Sequence, residues 1–285
     1  MTTFGTPGLA QTAADITGLL LRLDRPCWIL RDDSGRIAAT TDDWAAGARG
    51  QVLAAVPPLP PERLGDKAFR TAHGVRAAYA AGAMANGIAS PELVVAMAEA
   101  GYLASYGAAG VAPAGVDAAL AWLSAKLAGK PFACNLIHSP AELALERAIV
   151  DACLRHGVRC VEASAFMDLT PEVVRYRVSG LAVNRQGEVE VRNRLIAKVS
   201  RVEVAELFLR PAPERLLRQL VASGAITAEQ ARLAEQLPMA DDITAEADSG
   251  GHTDRRPLMV LLPELVAARD RLARTVPGAA AVRIG

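Results

Sequence analysis

The chain alternates short apolar runs with longer amphipathic stretches. From about residue 75 the runs are rich in small and branched side chains. Residues 75–84, 103–106, 132–137, 158–163, 195–199, 243–247 and 280–284 are the predicted strands. Helical patterns with start signals lie between them. Ser90-Pro91-Glu92 opens a helix that runs to Glu99 and stops at Gly101, and residues 113–127 form the next. Ser139-Pro140-Ala141-Glu142 sets Ser at an N-cap, Pro at the first helical position and Glu at the third. Thr170-Pro171-Glu172 opens another helix, residues 202–236 hold further helical stretches, and a last helix covers about 257–273.

Strand–helix alternation implies a parallel sheet with right-handed crossovers. An open doubly wound sheet and a closed barrel both satisfy it. The open sheet commonly carries G-x-G-x-x-G after its first strand, and here that strand runs into Met84-Ala85-Asn86-Gly87 instead. Gly129-Lys130-Pro131 lacks the residues of a P-loop. Six strand–helix units and a seventh strand fit an α/β fold of the TIM (β/α)8-barrel type, incomplete at about seven strands. Ahead of it, residues 26–30 and 36–40 flank Asp32-Asp33-Ser34-Gly35 as a hairpin, and Val56-Pro57-Pro58-Leu59-Pro60-Pro61 is a stiff linker. Residues 1–65 are therefore read as a small N-terminal appendage with its linker, and residues 66–285 as the barrel domain.

Composition narrows the classes. The 285 residues carry 31 Lys+Arg against 31 Asp+Glu, so no basic excess exists to neutralise a nucleic acid. At 51% hydrophobic residues the chain is not disordered, and at 4% aromatic its core must come from Ala, Val and Leu. Cys27, Cys134, Cys153 and Cys160 form no C-x-x-C pair and no zinc spacing with a histidine, which reads as buried free thiols in a reducing compartment and no metal site. Asp15 precedes the apolar residues 19–21 with no basic region before them, so no signal peptide is expected. The uncharged stretch 100–116 is too glycine-rich to span a membrane. A soluble cytoplasmic protein is the expectation.

In such barrels chemistry gathers at the C-terminal ends of the strands. There the sequence offers Ala85-Asn86-Gly87, Asn135, Glu162, Lys198 and the run Glu246-Ala247-Asp248-Ser249-Gly250-Gly251-His252. Asn135 and Glu162 interrupt apolar strands, and a buried polar group requires a partner. A bound cofactor would supply one, as would a neighbouring loop's backbone for Asn135 or a cross-strand Glu162–Lys198 pair. Gly250-Gly251 admits close backbone approach or makes a turn, and His252 can exchange a proton near neutral pH. His73 and His138 read as loop or helix-start residues, and His156 as a helix C-terminal residue facing the dipole.

Five segments taken together resemble a known family. They are Ala83-Met84-Ala85-Asn86-Gly87-Ile88-Ala89-Ser90, Asn135-Leu136-Ile137-His138-Ser139-Pro140, residues 161–171 beginning Val161-Glu162-Ala163-Ser164, Ile196-Ala197-Lys198-Val199-Ser200-Arg201, and residues 239–254 with Asp248-Ser249-Gly250-Gly251-His252-Thr253-Asp254. They resemble, in this order, the PfaD-type trans-acting enoyl reductases of polyunsaturated fatty acid and polyketide synthases, within the nitronate monooxygenase (2-nitropropane dioxygenase-like) group of FMN barrels. The resemblance implies FMN in the barrel mouth and NADPH or NADH as reductant. It implies that Ala85, Asn86 and Gly87 line the flavin ring, that Asn135 bonds its edge, and that Glu162 and Lys198 sit below or beside it. Gly250 and Gly251 would meet the cofactor through backbone, and His252 would be the catalytic residue near the flavin and substrate. It further implies an enoyl thioester delivered by an acyl carrier protein, with Arg175, Arg177, Arg255 and Arg256 as candidates for a basic docking patch. A homodimer is left open. A nitronate monooxygenase-like flavoprotein and a non-catalytic fragment that binds synthase partners are the alternatives. The family continues past its seventh strand with a Gly-rich loop and an eighth strand, so a truncated copy with an unclosed barrel is the expectation.

Overall fold

Residue alternation within the strands decides which side of the sheet is packed and which carries chemistry. The computed structural model describes residues 9–48, 50–248 and 253–285. The chain divides into two compact units, Met1–Lys67 and Ala68–Gly285.

In the first unit, helix α1 (Ala13–Leu20) is capped by the Thr12 hydroxyl, which accepts the Asp15 N–H. Strands β1 (Cys27–Asp32) and β2 (Ile37–Thr40) form the antiparallel hairpin that the sequence predicts. Its turn is held by the Asp32 carboxylate, which accepts the N–H groups of Ser34 and Arg36 at 2.9 Å each, with Gly35 left-handed. Helix α2 (Asp43–Ala48) follows. Strand β3 (Gly50–Val56) pairs on the other side of β1, in the order β2-β1-β3. Nothing in the sequence reading anticipated β3. Its exposed residues give it little hydrophobic alternation.

Helix α3 (Lys67–His73), all but its first residue, opens the second unit. Its strands are β4 (Ala80–Ala81), β5 (Leu103–Tyr106), β6 (Ala133–Ile137), β7 (Cys160–Ser164), and, after the antiparallel hairpin β8 (Leu181–Val183) and β9 (Val189–Val191), β10 (Arg194–Val199), β11 (Asp242–Ala245) and β12 (Arg283–Ile284). The helices are α4 (Pro91–Glu99), α5 (Pro113–Leu127), α6 (Leu143–Arg155), α7 (Pro171–Ser179), α8 (Val202–Phe208), α9 (Glu214–Ala222), α10 (Ala228–Ala234) and α11 (Leu258–Leu272). Seven strands pair in parallel in the order β12-β11-β10-β7-β6-β5-β4, an incomplete α/β barrel of the TIM type.

Helix spacing supplies the outer packing. Val116, Leu120, Leu123 and Leu127 of α5 recur on one face, as do Leu261, Leu265, Ala268 and Leu272 of α11, and all are buried. They join the outward residues of the strands, among them Tyr106, Cys134, Leu136, Val161, Ala163, Leu195, Ala197 and Ile243, in one core. The opposite sheet face begins with a separate apolar floor of Val75, Leu103, Ala133, Cys160 and Ile196. Among the described residues, no helix is long and apolar enough to cross a membrane.

Two local expectations are corrected. The first strand is only Ala80–Ala81 rather than residues 75–84, because the flanking backbone bonds elsewhere. The Arg76 N–H donates to Gly101 C=O at 2.7 Å, and the Ala83 N–H turns toward the Glu162 carboxylate. Helix α6 begins at Leu143, not at Pro140. Glu142 donates its N–H to Ser139 C=O at 3.0 Å, which makes the predicted capping box a turn.

Candidate functional site

Inner-facing residues follow from the same alternation. In β7, Cys160 lies in the floor, so Glu162 and Ser164 share its face; in β6, Ala133 lies in the floor, so Asn135 shares it. Register places Asn135 opposite Glu162, and Glu162 opposite Ile196, with Lys198 two residues further along β10. A polar layer of Asn135, Glu162 and Lys198 therefore stands directly above the apolar floor, toward the C-terminal strand ends. Ser105, inward on β5 beside Ala133, belongs to it.

The layer is tightly connected. Asn135, buried, donates both amide hydrogens, to Glu162 C=O at 3.1 Å and to Ser164 Oγ at 2.8 Å. Only its Oδ1 is left to accept from a ligand. Lys198 Nζ lies 3.2 Å from Glu162 Oε1 and 3.4 Å from Oε1 of Glu246, just beyond β11. Burial pulls the Lys198 pKa down, but the two carboxylates outweigh it and hold it above the ordinary lysine value. Glu162 also takes the Ala83 N–H, at 3.3 and 3.4 Å, and so ties the loop after β4 to the centre of the sheet. The cross-strand pairing read from the sequence as one option is thus present, enlarged by Glu246, which that reading placed at the end of its strand without pairing it to Lys198. Ser105 Oγ is buried and has no hydrogen-bond partner among the described residues. Both residues carried the signal that singled out Asn135, a polar side chain at the end of an apolar strand.

Ala85, Asn86 and Gly87 lie in the loop after β4. Asn86 is left-handed and gives its N–H to Ala109 C=O at 2.7 Å, and Gly87 gives its own to Gly107 C=O at 3.0 Å. Those two donors are spent on the loop after β5. Gly107 and Gly110 make the contact possible. A Cβ on Gly107 would stand 1.8 Å from Met84 O, and one on Gly110 would stand 2.1 Å from Asn86 Oδ1. Gly250, Gly251 and His252 lie outside the described residues. The residues bracketing them are fixed. Asp248, left-handed, donates its N–H to Arg256 C=O at 3.0 Å and accepts the Leu258 N–H at 2.9 Å, and Asp254 pairs with Arg201 at 2.7 Å.

The other histidines are engaged structurally. His73 ends α3, buried, 2.8 Å from Asp242 Oδ2, rather than lying in a loop. His138 follows β6, 3.0 Å from Glu146 Oε2 and stacked on Phe166. His156 caps α6 and meets Asp117 at 2.8 Å. The four arginines do not form a common basic patch. Arg177 is buried against Asp241 at 2.6 Å, Arg175 is held by Glu172 and Asp151, and Arg256 pairs with Glu264 at 2.6 Å, which leaves Arg255 exposed. The four thiols are free and buried. The interaction of the Cys134 S–H with the Cys153 sulfur, then burial, push the Cys134 thiol well up, and burial does so for Cys160.

A cavity of about 210 Å³ opens beside the polar layer, lined by Ala165, Phe166, Met167, Lys198, Val199, Ser200, Arg201, Val204 and Glu246. A larger one, about 640 Å³, lies at the opposite strand ends around His73, Lys130, His156 and Arg159.

Comparison with known proteins places these features in context. No family model matches the chain. It is 49% identical over 269 residues to a subunit of the polyunsaturated fatty acid synthase of Thraustochytrium sp., covering 93% of this chain and 18% of that protein. It is 41% identical over 225 residues to the polyketide biosynthesis protein PksE of Bacillus subtilis, covering 79% of this chain and 29% of that one. The chain thus spans less than a third of either relative (18% and 29%). Among solved structures, the enoyl reductase domain of MlnA from the macrolactin biosynthesis cluster of Bacillus amyloliquefaciens superposes with a TM-score of 0.73 at 34% identity, over 78% of this chain and 51% of that one.

Proposed function

From the premise that this chain belongs with the PfaD-type enoyl reductases of polyunsaturated fatty acid and polyketide synthases, we propose that it is an FMN-dependent enoyl reductase acting in trans. It uses NADPH or NADH to reduce enoyl thioesters carried on an acyl carrier protein, and it works in the cytoplasm. The observation that carries the reading is the polar layer of Asn135, Glu162 and Lys198 above an apolar floor at the C-terminal strand ends.

The donor set suits a flavin. A flavin ring edge presents alternating carbonyls and an N–H, which match the ammonium donors of Lys198 and the acceptor Oδ1 of Asn135. When bound, FMN supplies hydride transfer from the nicotinamide to the β-carbon of the enoyl thioester. The protein's part is orientation. Glu162 and Glu246 fix the Lys198 ammonium, Ser164 and the Glu162 carbonyl fix the Asn135 amide, and Glu162 holds Ala83 so that the Ala85–Gly87 loop keeps its place. His252 is proposed to give the proton taken up at the α-carbon. Gly250 and Gly251 are proposed to let backbone meet the ring.

The test is to add FMN, desalt, record the visible spectrum, and follow NAD(P)H oxidation with crotonyl thioester and, separately, with a nitronate. Retained flavin and crotonyl-dependent oxidation are expected. His252→Ala should slow turnover with flavin retained. Nitronate turnover without crotonyl turnover would replace this reading with the monooxygenase one. Co-purification with a carrier protein and no flavin uptake would replace it with a binding role.

A further inference from the structure

The cavity of about 210 Å³ beside Lys198 has one apolar side and one polar side. Ala165, Phe166, Met167, Val199 and Val204 form the first; Lys198, Glu246, Ser200 and Arg201 form the second. Its polar side offers an anion no uncompensated cation. The Lys198 ammonium is shared by Glu162 and Glu246, and the Arg201 guanidinium is 2.7 Å from the Asp254 carboxylate. Two carboxylates against one ammonium leave the base of the cavity with no positive charge to spare, so the phosphates of a dinucleotide are disfavoured there. A neutral apolar group is not.

The apolar wall is built in two parts of different stiffness. Ala165 turns left-handed at the end of β7, a strained conformation for a residue with a Cβ. That turn sends the next two side chains to different places. Phe166 is buried, stacked on His138 with ring centroids 5.2 Å apart and edge-on to Phe208 at 6.1 Å. His138 is itself anchored on the buried Glu146, which also accepts the Thr170 hydroxyl. Met167 is 59% exposed at the edge of the same cavity. A rigid aromatic wall with an unbranched, adaptable thioether at its lip suits a flexible hydrocarbon chain.

We infer that Met167, against the wall of Phe166 and Val204, is a specificity-determining residue that selects for the length of the acyl chain on the substrate. The inference rests on the enoyl reductase reading, because the acyl group must reach this cavity while its thioester end lies at the polar layer.

The test uses saturated thioesters of N-acetylcysteamine, which cannot be reduced. Acetyl and decanoyl thioesters are titrated into the full chain by calorimetry, and the ratio of their dissociation constants is measured. Wild type should prefer decanoyl. Met167→Trp, which fills the lip, should cut that preference about tenfold, and Met167→Leu should retain it. Thermal melts confirm that both variants fold, as expected for a half-exposed position. An unchanged preference in Met167→Trp overturns the inference, as does equal weakening of both thioesters. Loss of NADPH binding in that variant would also overturn it, because the cavity would then belong to the reductant. Chain-length-dependent binding with no turnover of any enoyl thioester would instead sink the reductase reading alone.

Discussion

Replacing Lys198 with methionine removes the cation between two carboxylates while keeping most of the side chain's volume. At an effective dielectric of about 20, opposite charges at the observed 3.2 Å attract by about 5 kcal/mol before desolvation is subtracted. Removing one member of a buried pair costs about 3–5 kcal/mol, since the remaining charge stays buried without compensation. The Lys198 side chain is 20% exposed, which favours the lower end. A loss of about 3 kcal/mol is expected at pH 7, or about 6–12 °C in the melting temperature of a domain of this size. The variant Glu162→Gln/Lys198→Met should recover part of that loss. Glutamine keeps an acceptor for the Ala83 N–H and removes a stranded charge. The pH dependence has a fixed sign. The Lys198 pKa is raised on folding, so its contribution is complete below the ordinary value of about 10.4 and is lost as pH rises through the folded value. Urea titrations of wild type, both single variants and the double variant measure the coupling. A loss below about 1 kcal/mol for Lys198→Met, or no recovery in the double variant, would refute the clamp.

Two other positions give sharp outcomes. Asp242 is held below the ordinary carboxylate pKa: burial raises it, but the hydrogen bonds from His73 and Arg283 prevail. Its stabilisation is therefore present above about pH 4 and lost as pH falls below, so Asp242→Asn should cost about 3 kcal/mol at pH 7 in urea melts, with the gap to wild type closing below pH 4. Gly107→Ala puts a methyl group 1.8 Å from the Met84 carbonyl oxygen. It should cost about 3 kcal/mol and loosen the loop after β4, seen as faster amide exchange at Asn86 and Gly87; wild-type stability would contradict the observed approach.

The parallel sheet was legible because apolar runs and helix caps repeat in phase, and helix α5 falls on the residues that the pattern marked. Asn135, Glu162 and Lys198 were legible because each breaks an apolar strand. What failed had physical reasons. Strand β4 looked longer because residues 75–84 are mostly small and apolar, but sheet pairing depends on where backbone donors go, and Arg76 and Ala83 send theirs elsewhere. The hairpin β8–β9 lies in a stretch to which the sequence pattern assigned no element. Its turn rests on the Asn184 side chain, which accepts the Gln186 and Glu188 N–H groups, a single-residue signal inside a polar stretch. Arg177 looked like surface charge because its partners are supplied by distant segments, the Asn193 and Pro238 carbonyls and the Asp241 carboxylate.

The division of labour between the two sheet faces follows from the two-residue period of a strand. In β7, Val161 and Ala163 pack outward against helices, while Cys160, Glu162 and Ser164 face inward. A shift of one residue would exchange the sets, stranding the Glu162 charge in the helix-covered core, where burial without a partner costs several kcal/mol. The outer core therefore fixes the register that aims the polar layer. Glu162 meets Lys198 and Ala83 because Val161 and Ala163 are committed to the helices. Substitutions at Val161 or Ala163 should thus act on the site without touching it, through the angle at which Glu162 is presented.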